Sequence, residues 1–288
     1  MFAPVKIWSP VILLALNNFV TRILAGLVFI TAVMGAAWAG PMVLGMLFLF
    51  FAAVGLHEYY DILRKDKALA PRWWAGMLCG LMLYLLVFIQ ASGDVAASTY
   101  WWMVLPVAII MCSEMFRTNE SKNIVKLALT AFGWGYVIFP LALINVLGHV
   151  QGEYDWHLVL GYFLLLWSND SGAYAVGRML GKTKLFERVS PNKTWEGLIG
   201  GVLFTVFIAW VLSRYFYSVE LKDWMAMAII IGVFANLGDL FESHIKRMFG
   251  VKDSGNIIPG HGGVLDRFDG LLLSLPIVIA YFKIISSL

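Results

Sequence analysis

The sequence predicts an all-α protein, a polytopic transmembrane helical bundle of about nine spans. Two observations carry that class. Of 288 residues, 60% are hydrophobic and only 14% charged, against roughly 25% charged in soluble domains. The apolar residues also fall in runs near the length needed to cross the hydrocarbon, about 20 residues at 1.5 Å rise each. An aromatic content of 15%, with 12 Trp and 11 Tyr, adds ring types that favour the headgroup level. A water-soluble globule is excluded.

Taken in order, residues 1–22 read as an N-terminal interfacial extension, because the apolar stretch Trp8–Val20 is broken by Ser9, Pro10 and Asn17–Asn18. Spans then follow near Ile23–Ala39, Pro41–Leu56, Trp73–Gln90, Tyr100–Cys112 and Val125–Leu147. These make up an N-terminal membrane region, 23–160. His157–Val176, Gly197–Leu212, Met225–Leu240 and Gly270–Ile285 complete the set in a C-terminal region, 161–288, with polar loops at 177–196 and 241–269. Cys79 and Cys112 both sit in apolar runs and read as packing residues, with neither disulfide nor zinc spacing.

Charge fixes the orientation. All but Arg214, Lys222 and Lys283 of the 21 lysines and arginines lie before the first span or in the even-numbered connections. The positive-inside rule therefore puts the N-terminus in the cytoplasm and, with nine spans, the C-terminus outside. Both polar loops face the cytosol.

The polar residues within the apolar runs are concentrated in the sixth and eighth spans. A charged group in hydrocarbon costs about 2.5–3.5 kcal/mol on insertion scales, so such residues usually have a job. Asn236, Asp239, Ser243 and Lys246 share one helical face, and Asp170, Tyr174 and Arg178 repeat the arrangement at i, i+4, i+8. Polar contacts between helices explain these two faces about equally well.

The loops tip the balance. Residues 243–269 interleave Lys246, Arg247, Lys252 and Arg267 with Asp253, Asp266 and Asp269, following Asp239 in the span. Arginine forks and lysine point charges suit phosphate oxygens, and carboxylates are hard ligands suited to Mg²⁺. A loop built only for anionic headgroups would carry cations without carboxylates, so a metal-bridged polyphosphate fits better. Gly262 and Gly263, beside His261, allow close backbone approach to a ligand. His261 reads as a binding residue, because a phosphate monoester is already anionic near neutral pH and needs no general base. In the other loop, Gly177 and Gly181 are one residue too close for a P-loop, and a span precedes them. Ser190 or Thr194 suits the cap of the next helix, and Lys193 suits a phosphate at its N-terminus.

These residues carry a resemblance. The segment Ser243–Asp269, with Lys246-Arg247, Lys252-Asp253, Pro259, His261-Gly262-Gly263 and Asp266-Arg267-Phe268-Asp269, resembles the signature of the phosphatidate cytidylyltransferases, or CDP-diacylglycerol synthases. A second block matches at Asp170, Ala173-Tyr174, Gly177-Arg178, Gly181-Lys182 and Ser190-Pro191, then Lys193 to Gly197. The first 160 residues agree mainly in hydropathy, and the opening twenty or so look like an extension. The resemblance implies cytidylyl transfer from CTP to phosphatidic acid at the cytoplasmic face of a bacterial inner membrane, with CDP-diacylglycerol and pyrophosphate as products. It also implies Asp239 and Asp266 as the metal pair for Mg²⁺ with a second cation. Catalytic roles then fall to Asp239, Asp266, Lys252 and Arg267. Substrate phosphates fall to Ser190, Lys193, Thr194, Lys246, Arg247, Arg178 and the His261-Gly262-Gly263 turn. A homodimer is implied, and no nucleic-acid partner. A CTP-dependent prenol kinase is the nearest rival. A transporter is disfavoured because the two halves show no self-similarity.

Overall fold

The computed structural model describes residues 10–91, 93, 96–115, 123–257 and 262–285. Among the described residues there are ten α-helices: α1 (Pro10–Ala39), α2 (Pro41–Leu63), α3 (Trp73–Ala91), α4 (Val104–Met115), α5 (Asn123–Gly133), α6 (Phe139–Gly148), α7 (Trp156–Leu180), α8 (Trp195–Leu212), α9 (Leu221–Met248) and α10 (Leu265–Ile285). A 3₁₀ turn, Ala97–Met103, leads into α4, and a π turn, Trp134–Ile138, joins α5 to α6. Among the described residues, five segments are long and apolar enough to cross a membrane: α2, α3, Asn123–Gly148, α8 and α9.

Two features depart from the sequence reading. The break expected at Asn17–Asn18 is absent, since α1 runs unbroken through them; it begins at Pro10, and proline is tolerated in a first helical turn, where its missing N–H has no partner to lose. The bundle also carries a small antiparallel hairpin, β1 (Lys184–Phe186) and β2 (Ser190–Thr194), inside the 177–196 loop. Its base is tied down by Glu196 in the first turn of α8, whose carboxylate accepts from the Lys182 and Thr183 amides at 3.1 Å each.

Local chemistry explains the joints. Gly40 sits at φ 118°, a conformation open to glycine, and Pro41 starts α2 directly after it. Pro140 has no N–H for the Tyr136 carbonyl one turn earlier, which accounts for the π turn there. That turn is pinned by Trp134 Nε1 donating to the Gly76 carbonyl at 2.8 Å.

The C-terminal helices pack through small residues. A Cβ at Gly201 would stand 2.8 Å from Asn169 Oδ1, and one at Gly197 would stand 2.9 Å from the Ala173 carbonyl. Such close backbone approach is how apolar helices associate without a hydrophobic driving force. The N-terminal region grips α10 through aromatic rings: Phe29, Phe48 and Phe51 surround Phe268 at centroid distances of 5.4, 5.5 and 5.0 Å.

At one end of the bundle Tyr154 OH donates to the Ala37 carbonyl and the tilted rings of His157 and Phe216 lie 5.1 Å apart, which gathers odd-numbered connections. At the other end lie the C-termini of α2, α7 and α9 and the N-termini of α8 and α10. Both polar loops are on that side.

Candidate active site

Two cavities meet at the polar end. The first, about 490 Å³, lies between α7, the hairpin and α9, and its polar lining includes Asp170, Tyr174, Arg178, Lys193, Asn236 and Asp239. The second, about 390 Å³, shares Asp170 and Asp239 and adds Asp266, Arg267 and Asp269 from α10, with Phe29 and Trp167 as apolar wall. The two helical faces read from the sequence thus converge on one site.

Asp239 is the junction. Lys193 Nζ lies 2.6 Å from its Oδ2 and also donates to the Asn236 carbonyl at 3.1 Å, while Ser243 Oγ donates to Oδ1 at 3.2 Å. The hairpin is therefore what delivers Lys193 to α9. Beneath it, Asn236 Nδ2 donates to Asn169 Oδ1 at 3.3 Å, joining α9 to α7. On α7, Arg178 donates to Tyr174 OH at 3.0 Å and stays exposed at the rim.

Asp266 is held more tightly. Its Oδ1 takes Lys246 at 2.5 Å, and its Oδ2 accepts from the Gly263 amide at 2.8 Å and from both the amide and hydroxyl of Ser254 at 3.0 Å. Burial alone raises the Asp266 carboxyl, but the Lys246 ammonium and the Gly263 and Ser254 amides outweigh it and hold the group below the ordinary aspartate range. Lys246 also reaches Glu242 at 3.2 Å, and all three side chains are at most 10% exposed. Gly262 turns at φ 83°, and a Cβ there would stand 2.5 Å from Asp266 Oδ2. The Asp266 carboxylate thus explains Gly262, whereas a Cβ at the adjacent Gly263 would meet Ser254 Oγ and the Glu58 carboxylate.

The donor set suits a hard divalent cation. Four carboxylates line one cavity with no soft ligand among them. Asp239 and Asp269 keep unused acceptor capacity, Asp269 accepting among the described residues from the Gly270 amide at 2.6 Å. Asp266 has little to spare. Among the described residues, no three His, Cys, Asp or Glu side chains are drawn together as a cation cage.

The remaining candidates separate. Thr194 lines the first cavity but is also the cap of α8, its Oγ1 accepting from the Gly197 amide at 3.1 Å. Ser190 pairs with Phe186 in the hairpin and lines neither cavity. Arg247 donates to the Val251 carbonyl at 3.2 Å, closing the end of α9, and Lys252 is exposed and lines neither cavity. His261 lies outside the described residues.

Sequence reasoning missed Glu58, near the C-terminal end of α2 and 3% exposed, which accepts from the Val264 and Leu265 amides and from Ser254 Oγ. It also missed Glu242, 1% exposed beside Lys246. A carboxylate two residues past an apolar run was the available signal for Glu58, and the Lys246 spacing of i+4 was the signal for Glu242.

The opposite face of α9 is apolar. Leu237, Leu240, Phe241 and His244, at i, i+3, i+4 and i+7, face a groove of about 760 Å³ with Tyr136 and Pro140 on one side and Leu272, Leu273 and Pro276 of α10 on the other. One helix therefore separates an acidic, cation-flanked site from an apolar groove.

Comparisons with known proteins identify the family. The sequence model of the Cytidylyltransferase family matches residues 20–285. A phosphatidate cytidylyltransferase of Staphylococcus epidermidis is 32% identical over 260 residues, 90% of this chain and 95% of that protein. One from Staphylococcus haemolyticus is 34% identical over 205 residues, 70% of this chain and 77% of its own. One from Staphylococcus aureus is 49% identical over 124 residues, 42% of this chain and 47% of its own. With a match that takes in α2, the hairpin, α9 and α10 alike, this chain belongs to the cytidylyltransferase family.

Proposed function

We propose that the protein transfers a cytidylyl group from CTP to phosphatidic acid, giving CDP-diacylglycerol and pyrophosphate. The observation that carries this reading is the meeting of two cavities at Asp170 and Asp239, one flanked by Lys193 and Arg178 and the other by Arg267, Asp266 and Asp269. A triphosphate needs cations on one side and hard oxygen ligands for its counter-ion on the other. Relatives named for this activity over most of their length point the same way.

In the proposed reaction a phosphate oxygen of the lipid forms a bond to the α-phosphorus of CTP, and the bond from that phosphorus to the α–β bridging oxygen breaks. Pyrophosphate leaves. The attacking phosphate is largely ionised near neutral pH, so no general base is required. Lys193, Arg178 and Arg267 orient the triphosphate and offset its charge. Lys246 holds Asp266 rather than substrate. Arg247 and Lys252, outside both cavities, serve capture of the anionic nucleotide. Asp239 and Asp269, with Asp266, would hold Mg²⁺, which when bound neutralises charge on the phosphates and orients the attacking and leaving oxygens.

Nine passes with the N-terminus and the active site on the cytoplasmic side of a bacterial inner membrane complete the reading. CTP is a cytosolic solute, and the apolar groove along α9 offers the acyl chains a lateral path that keeps the phosphate at the interface. Purified protein given phosphatidate, CTP and Mg²⁺ should release pyrophosphate and form CDP-diacylglycerol, with none formed after chelation. Release of CDP with a phosphorylated prenol would instead make the protein a lipid kinase.

A further inference from the structure

The 241–269 loop does not hold itself in place alone, because a residue of the N-terminal region grips it beside the start of α10. Phe48, Phe51, Gly55 and Glu58 lie at i, i+3, i+7 and i+10, one face of α2. That face runs along α10: Phe48 and Phe51 pack on Phe268, and a Cβ at Gly55 would stand 3.2 Å from Leu265. At its end the Glu58 carboxylate meets the start of α10, accepting from the Val264 and Leu265 amides at 3.0 Å each and from Ser254 Oγ at 3.1 Å.

The first amides of a helix have no partner within it, and the positive end of the macrodipole favours an anion there. A neighbouring Ser, Thr or Asp usually fills that role from within the same chain segment. Here the acceptor comes from a helix some 200 positions earlier and sits 3% exposed. The same hydroxyl of Ser254 lies within hydrogen-bond distance of Glu58 and of Asp266, and the Glu58 carboxylate fills the space that a side chain at Gly263 would need.

We propose that Glu58 is a positioning residue for the active site. Its carboxylate ties Ser254 to Val264 and Leu265 at the first turn of α10, and so sets where Asp266 and Arg267 stand; the functional consequence rests on the reading given above. Two oxygens serve three donors, so the charge and both acceptors matter. Glutamine has one carbonyl oxygen, and its NH₂ would face donors.

The test uses the full chain in detergent and compares wild type with Glu58→Gln. Hydrogen exchange of peptides covering 254–266 should quicken about tenfold or more, while α7 and α8 exchange as in wild type. Turnover should fall about tenfold or more, with the melting temperature within a few degrees of wild type. Unchanged exchange at 254–266 overturns the proposal, and so does faster exchange spread evenly over all helices, which would mean general loosening. Should Glu58→Gln fail to fold, Ser254→Ala decides: it removes one donor, and a release confined to the same segment supports the proposal while no release overturns it. A wild-type protein that makes no CDP-diacylglycerol would sink the functional reading alone, since the exchange data judge Glu58 independently.

Discussion

Lys193 and Asp239 stand 2.6 Å apart, the one on a hairpin and the other in the middle of a helix face. The contact closes the first cavity against α9 and leaves the Lys193 side chain 20% exposed, within reach of an anionic ligand. Lys193→Met should lower turnover about a hundredfold through lost phosphate orientation. Stability should change by about 1 kcal/mol or less, as for other partly exposed pairs. Pyrophosphate release and a thermal melt measure the two effects, and turnover within threefold of wild type would remove Lys193 from the machinery.

Lys246 behaves differently because it is enclosed. It lies between Glu242 and Asp266, and Lys246→Met would strand two buried carboxylates. Breaking a buried pair by removing one partner costs about 3–5 kcal/mol, so this variant should melt well below wild type. A melt indistinguishable from wild type would show that these carboxylates are not both charged.

The lowered Asp266 carboxyl sets a pH dependence. A group depressed in the folded state contributes stability that is complete above its ordinary range and is lost as pH falls through the lowered value. Melts of wild type and Asp266→Asn should therefore differ most from neutrality down to about pH 5 and converge below about pH 4. A difference that widens on acidification would contradict the assigned direction.

The apolar groove predicts a chain-length effect. Gly135 lines it with nothing within 4 Å of an added Cβ, so Gly135→Phe should fill the groove with little strain elsewhere. KM for long-chain phosphatidate should rise about tenfold or more, while a short-chain, water-soluble analogue is turned over as before. Equal effects on both would place the acyl chains elsewhere.

Much of this was readable from the residues alone. The nine apolar runs fall on helical segments in the same order, and among the described residues five segments are long and apolar enough to cross a membrane, because hydropathy is what the bilayer selects. Asp239, Asp266, Arg267 and Lys193 do assemble at one site, because dense charge beside a span has few structural uses. The hairpin was hidden: its short strands pair in an irregular register and carry no alternating pattern. Thr194 showed its capping chemistry in advance, whereas Ser190 shared the same motif and lines neither cavity. Glu58 could not be found by spacing at all, since its partners lie some 200 positions away and two of them are backbone amides.

That distance has a meaning in time. At roughly 5–20 residues per second of synthesis, α2 leaves the ribosome about 10–40 seconds before the amides that Glu58 will hold. Through that interval the newborn membrane segment carries a carboxylate with its eventual partners not yet made. The last helix therefore completes the pocket by docking onto a waiting acceptor, and a chain halted before residue 264 would be an inserted protein without a finished catalytic end.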